Sequence, residues 1–480
     1  MQMKTNTETT AAKRSGGNLI RTMAPIAMLL LGSATALGQT HYQQIMVLGS
    51  PSMGGVGSIR PLVWAEPDVL CGTTTRDSWA STTNWLFSLR TDGSAHSKLH
   101  LISHTPTVSS GLAVGADGAI FGMNTGYVFR WNRDGSLKVL LDSETSGFQG
   151  PLLLGYAVTI GPDGTLFGTA ESGNNPNGAV FKINPDGSAL QIIHNFTGGP
   201  SDGDKPDGGL IVGSDGALYG VTLRGGIPDA LGHFLGTVFR LNQDGSGYRV
   251  LHNFAGYDGA FPKSALIQGR DGMLYGTTEG GGPLEGGGGL VFKLNTDGSS
   301  FTVIYSFPKS DASEPPIPSA LIQGPDGALY GTTQYGGLIT TNQPEGLGTV
   351  FRLNTDGSAY TTLRRFSGED GRNPQCALLA GPEGSLYGTT VYGGYFDQGT
   401  VFKLTASPTE TASLIDFYPT PTGFAVTLSA PPGQTWVLQS STDLGRNDPW
   451  HAVATLQTDA FGLARVTDAS GPGFYRATKP

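Results

Sequence analysis

Cysteine, charge and long apolar runs are all scarce in this chain of 480 residues. The only cysteines are Cys71 and Cys376; two cannot staple so long a chain, and they cannot make a zinc site alone. A bridge between them would need Cα atoms within ~7 Å, and two buried thiols are the expected state. Charged residues make up 14% and include no basic run. The balance is acidic, which repels phosphate backbones and excludes nucleic acid as the expected partner. No apolar stretch reaches the ~20 residues that span a bilayer, so no transmembrane segment is expected in the mature chain. Gly-x-Ser-x-Gly, His-Glu-x-x-His and phosphate-binding glycine loops are also missing, and with them the common hydrolase, metalloprotease and nucleotide-binding signatures.

The amino terminus has the order of an export signal. Lys4, Lys13, Arg14 and Arg21 precede an apolar run from Met23 to Leu31, followed by small residues around Ala34 and Ala36. We expect residues 1–38 to be a signal peptide, and the mature protein to be secreted, periplasmic or on the cell surface. Removing residues 1–36 takes away four cations and one acid and leaves a net charge of about −12.

What the chain has in excess is glycine, 74 residues, with 30 prolines. There is no Gly-X-Y period, which excludes collagen. A hydrophobic fraction of 38% with 9% aromatics argues against disorder. The glycines are periodic. A phrase of the type Gly-x-Asp-Gly-x-Leu-Tyr-Gly recurs, its last glycine falling at 72, 122, 168, 220, 276, 331 and 388, a mean period of about 53 residues. A second phrase, Gly-Thr-Val-Phe-Arg-Leu-Asn-x-Asp-Gly-Ser, places its Phe at 87, 129, 181, 239, 292, 351 and 402. Two further short β-branched segments complete each unit, for example Tyr248 to Phe254 and Ser264 to Gly269.

Every segment is 4 to 8 residues, rich in Val, Ile, Leu, Thr, Tyr and Phe, and bounded by turn residues, which is the strand pattern. Asp-Gly separates two pairs of strands in each unit, and a two-residue turn with positive φ suits that dipeptide. Four antiparallel strands repeated seven times predict an all-β seven-bladed β-propeller. The phase of the ends predicts closure. The segment from Gln43 to Gly49 reads as an outer strand, and the array stops one strand short, at Val401 to Leu404. The amino-terminal strand can therefore complete the seventh blade and leave no open edge. The propeller is expected over 39–407. From 408 to 480 the period is lost, and alternating strands such as Phe424 to Leu428 and Trp436 to Ser440 predict a small β-sandwich domain.

The two phrases resemble the GloVer (Gloeo/Verruco) tandem repeat of exported bacterial proteins, over residues 43 to 404. The resemblance implies secretion or surface display and carries no activity. Residues 437–444, Trp450, 466–468 and 474–476 resemble a carboxy-terminal module of secreted proteins from related bacteria, which implies no chemistry either.

For function, the topology puts all Asp-Gly turns on one face of the ring and all longer, variable loops on the other. Variable loops on a rigid scaffold are where binding sites tend to lie. The aromatics Trp79, Trp85, Tyr335, Tyr392, Tyr395 and Phe396 are assigned to that loop face, where exposed rings could stack on sugars or anchor a protein. An acidic column, Asp202, Asp258, Asp311 and Asp370, could bind Ca2+ with backbone carbonyls, Asp258 and Asp370 being the candidates, although lone carboxylates in such loops mostly make Asx turns. No cofactor and no catalytic residue is expected. His194, His252, Tyr305 and Arg364 fill one repeat column on the outer strand. The expected role is an exported, monomeric, non-catalytic scaffold binding an extracellular glycan or protein. The alternatives are a lyase- or hydrolase-type enzyme with a site over the central pore, and a purely structural surface protein.

Overall fold

In the computed structural model, the described residues are 41–48, 61–74, 84–103, 111–124, 126–142, 157–171, 175–282, 288–308, 316–405, 413–420, 423–429, 435–441, 451–457, 463–468 and 474–478. The expected signal peptide, Trp79 and Asp311 lie outside them. Residues 36–411 and residues 412–480 form separate compact units.

The first unit is a seven-bladed β-propeller. It contains seven four-stranded antiparallel sheets, six of them meanders in sequence order and the seventh completed by a strand from the other end of the array. Blade 4 is representative, with strands Ile211–Val212, Leu218–Thr222, Thr237–Leu241 and Arg249–Asn253 from the axis outward. The segments leading into the innermost strands converge: a methyl group placed on Gly209 would stand 3.4 Å from Ala157 and 3.6 Å from Ala265, which precede the inner strands of blades 3 and 5. Only small residues fit so close to the axis. Blade 7 is closed by the amino-terminal strand. His41–Val47 pairs antiparallel with Thr400–Thr405, Gln43 opposite Lys403, and the sheet continues through Ser385–Thr390 to Leu379–Ala380.

Each of the seven blade junctions is filled by its own apolar cluster. Between blades 4 and 5 it includes Tyr219, Val221, Phe254, Leu274 and Phe292. Between blade 7 and blade 1 it includes Met46, Leu48, Leu62, Leu70, Phe87 and Tyr387, so the ring is sealed by the same apolar contact that joins every other pair. Burying each such large side chain contributes about 1.5–3 kcal/mol.

One turn expectation is corrected. The Asp-Gly hairpins are three-residue loops: Gly213 N–H donates to Ala217 O, and Gly216 N–H to Gly213 O. Only the glycine takes a left-handed φ, +77° at Gly216. This is a type I turn with a glycine bulge, and Asp215 serves it by accepting the Ala217 amide on its side chain.

In the second unit, Ser413–Thr420, Gly423–Ser429 and Leu463–Asp468 form one antiparallel sheet, and His451–Gln457, Thr435–Ser441 and Phe474–Thr478 another. Val466 of the first sheet packs on buried Leu438 of the second, the contact that makes a β-sandwich.

Candidate functional site

The meander of each blade sends its two longer connections to one face of the ring. The outer-strand-to-next-blade loops there share a repeated fastening. Asp258 accepts the Ala255 amide on Oδ1 at 2.8 Å and faces His252 Nε2 at 2.9 Å through Oδ2. His252 in turn stacks on Phe301 of blade 5, ring centroids 3.6 Å apart. Asp202, His194 and Tyr248 repeat this one blade earlier. In blade 6, Arg364 takes the histidine's place, pairing with Asp370 and lying 4.3 Å over the Tyr42 ring of the closing strand. Tyr305 stacks on Tyr360 in the same column.

Burial opposes the ionisation of Asp202, but donors from His194, Tyr248 and the Thr197 and Gly203 amides outweigh it and hold the carboxyl at about 2. Each of these three carboxylates is thus engaged by protein donors on both oxygens, Asp370 also accepting the Ser367 amide and hydroxyl. Among the described residues, no group of three or more His, Cys, Asp or Glu side chains is arranged to hold a metal ion.

The sequence-derived aromatics do not form one cluster. Trp85 belongs to the strand Asn84–Arg90 and not to a loop; it is half-buried, with Lys98 Nζ 4.7 Å over its ring. Tyr335 and Tyr392 are half-buried at the start of their loops, and the Arg372 guanidinium covers the Tyr392 ring at 4.5 Å. Tyr395 is 86% exposed and meets Phe396 edge to face.

The larger apolar surface was not singled out from the sequence. Of the nine exposed large hydrophobic residues among those described, only Val139 lies in a strand; the other eight are in loops of this face. Five belong to two adjoining loops of blade 4: Ile227, Leu231 and Phe234 in one, Tyr257 and Phe261 in the other. These loops are built, not loose. Asp229 accepts the Leu231 and His233 amides, and the Phe261 amide donates to Leu235 O. Leu231 is thereby presented at 80% exposure and Tyr257 at 72%.

A second feature lies nearer the axis. Glu171, directly after the strand Leu166–Ala170 of blade 3, lies within electrostatic reach of Asp207, just before the inner strand of blade 4. Burial and then the charge of Asp207 push Glu171 up to about 7, while Lys205 and Lys263 pull it down. Lys263 is itself paired with Glu279 at 3.3 Å. These residues come from three blades; Glu171 and Glu279 fill one repeat column and Asp207 and Lys263 another, but both columns change residue type around the ring, so periodicity could not single them out. Cys71 and Cys376 are both buried thiols; burial, then the charge of Glu66, pushes Cys71 up to about 12, and Cys376 Sγ lies 3.1 Å from Thr389 Oγ1.

Fold and repeat together define a tandem-repeat β-propeller. The chain belongs to the Gloeobacter/Verrucomicrobia repeat family, whose model matches residues 42–234, 124–338 and 284–430 in three overlapping stretches. No curated protein matches it. Among solved structures it is similar to virginiamycin B lyase from Staphylococcus aureus, at 15% identity and a TM-score of 0.53, covering 76% of this chain and 99% of that one. It is also similar to an oligogalacturonate lyase in complex with manganese, at 11% identity and a TM-score of 0.51, covering 78% and 97%. At such identity the likeness is one of fold.

Proposed function

We propose that this protein is an exported, non-catalytic scaffold that captures an extracellular protein or glycan on the loop face of its propeller. The observation that carries this reading is the distribution of exposed large apolar side chains among the described residues, eight of nine on one face and five of them in two braced loops of blade 4. Rigid, exposed leucine and aromatic anchors beside polar loops are the composition of a recognition surface. Export rests on the cationic, apolar and small-residue order of residues 1–38. Tyr395 and Phe396 on blade 7 extend the same face.

The test is capture by the full chain on a glycan array and from the extracellular fraction of the source cells, followed by affinity measurement on whatever is retained. Leu231→Ser combined with Tyr257→Ser should weaken binding at least about tenfold, near 1.4 kcal/mol, with Tm unchanged because neither side chain is buried. Equal affinity in the double variant would remove the patch. Tyr335→Ala, Tyr392→Ala and Tyr395→Ala report on the other loop-face rings in the same assay. The Glu171–Asp207 pair favours a second reading, a hydrolase or lyase acting near the axis; turnover abolished by Glu171→Gln would establish it.

A further inference from the structure

We propose that the two adjoining loops of blade 4 dock an uncharged, apolar segment of an extracellular protein, with Phe261 as the anchor that decides what fits. The inference rests on the reading that the loop face takes a ligand, and it chooses between the two ligand classes named there.

The loops are fixed to the blade and to one another before anything binds. The Ile227 amide donates to Asn253 Oδ1 at 3.2 Å, and the Phe261 amide to Leu235 O at 2.9 Å. Their carboxylates are spent inside them. Asp229 takes the Leu231 and His233 amides on Oδ1 and faces His233 Nδ1 through Oδ2 at 3.1 Å, and Asp258 is engaged on both oxygens. The charges that flank the loops are matched as well: Lys263 pairs with Glu279 at 3.3 Å, and Arg224 stands opposite Asp204 in a short two-stranded ladder. What these loops turn outward is Ile227, Leu231, Phe234, Tyr257 and Phe261. A saccharide needs free donors and acceptors for its hydroxyls, and a charged partner needs an unmatched counter-charge. An apolar protein segment needs neither.

Phe261 carries a second mark, in its backbone. Among the described residues, eight other than glycine have a left-handed φ. Four of them, Ala95, Ala189, Ser300 and Ala359, are small and follow an Asp-Gly-Ser turn on the opposite face. Lys205, Phe261 and Asn373 share one position of the loop face: their amides donate to the carbonyls of Asn177, Leu235 and Leu347, and their own carbonyls accept from the amides of Leu223, Glu279 and Val391. That pairing uses backbone alone, so it asks for no particular side chain, and asparagine adopts the conformation readily. Phenylalanine at a φ of +57° is strained, and its ring is still 38% exposed. Strain retained for a side chain that the backbone pairing does not need, and that reaches solvent, marks a residue kept for a contact outside the fold.

The test pans a phage library of random dodecapeptides against the immobilised full chain, with a glycan array run on the same preparation. The enriched peptides should be rich in Leu, Ile, Met, Phe and Trp and poor in Asp, Glu, Lys and Arg. A synthetic consensus peptide should lose about tenfold in affinity on Phe261→Asn, and again on Leu231→Ser combined with Tyr257→Ser. Asparagine keeps the left-handed backbone, so Phe261→Asn should leave Tm within about 2 °C of the wild type, relief of strain offsetting lost packing. A ring that merely plugs the loop would instead lower Tm and leave affinity unchanged, which would overturn the inference. A charged consensus, or a consensus peptide indifferent to all three substitutions, would overturn it too. Glycan retention abolished by the same substitutions would replace the protein segment by a saccharide and leave the loop-face reading standing; retention of neither peptide nor glycan would remove both.

Discussion

Two kinds of glycine share the repeat, and they are needed for different reasons. Gly216 holds a φ of +77° with nothing within 4 Å of where a methyl group would sit, so it is required for conformation alone. Gly220 has ordinary strand geometry, but a methyl there would come within 2.5 Å of Phe239 Cζ, the ring of its own cross-strand partner. Alanine at Gly216 should cost about 1 kcal/mol and resist rescue. Alanine at Gly220 should cost about 2 kcal/mol by overpacking and recover with Phe239→Leu, both read from urea unfolding. The sequence showed both columns at equal strength. It could not separate them, because a glycine column says that a side chain is excluded but not whether φ or a neighbour excludes it.

At the level of the element, the outer strand carries a device that no periodicity announces. Val238 faces His252 and Phe239 faces Val250, so Leu251 is an extra residue, and the same bulge recurs beside the strand phenylalanine in all seven blades. A bulge re-aims the side chains around it, and in blades 3, 4 and 6 it accompanies a histidine or arginine set between its loop aspartate and the ring of the next blade. The histidine column was legible in the sequence; its partners were not, because each lies in another unit and only the fold brings them together. His252→Ala should cost about 2 kcal/mol, since it removes the stack and leaves Asp258 short of a donor. The pH dependence has a definite sign. The folded value of Asp202 lies below its unfolded value of about 3.9, so its contribution, about 2 kcal/mol, is complete above that value and is lost as pH falls toward 2. In Asp202→Asn that part of the acid slope should vanish from Tm measured between pH 6 and about pH 2.5.

On the scale of the whole molecule, repeat count, strand order and ring closure could all be read from the chain, because each is written seven times and the two ends are complementary fragments of one unit. The loop face was located by topology alone. Its apolar content and the Glu171–Asp207 pair were not, since residue types that change from blade to blade leave little trace in a pattern of repeats. Closure also makes a prediction about the Tyr42 side chain, whose hydroxyl donates to Asp370 O and whose ring stacks on Phe402. Tyr42→Ala should lower Tm and raise proteolysis within blade 7 first, detected by mass mapping of early fragments.

The strand that seals the ring is near the beginning of the chain, and its Tyr42 hydroxyl bonds to a carbonyl 328 residues later. A contact of that span cannot form until nearly the whole propeller has emerged, and its loop-closure entropy must be met before it stabilises anything. Six blades can assemble in order while the seventh waits with the edge of Thr400–Thr405 unpaired. A chain that crosses a membrane as an unfolded thread, amino end first, would therefore lock only after its last blade has followed its first strand across.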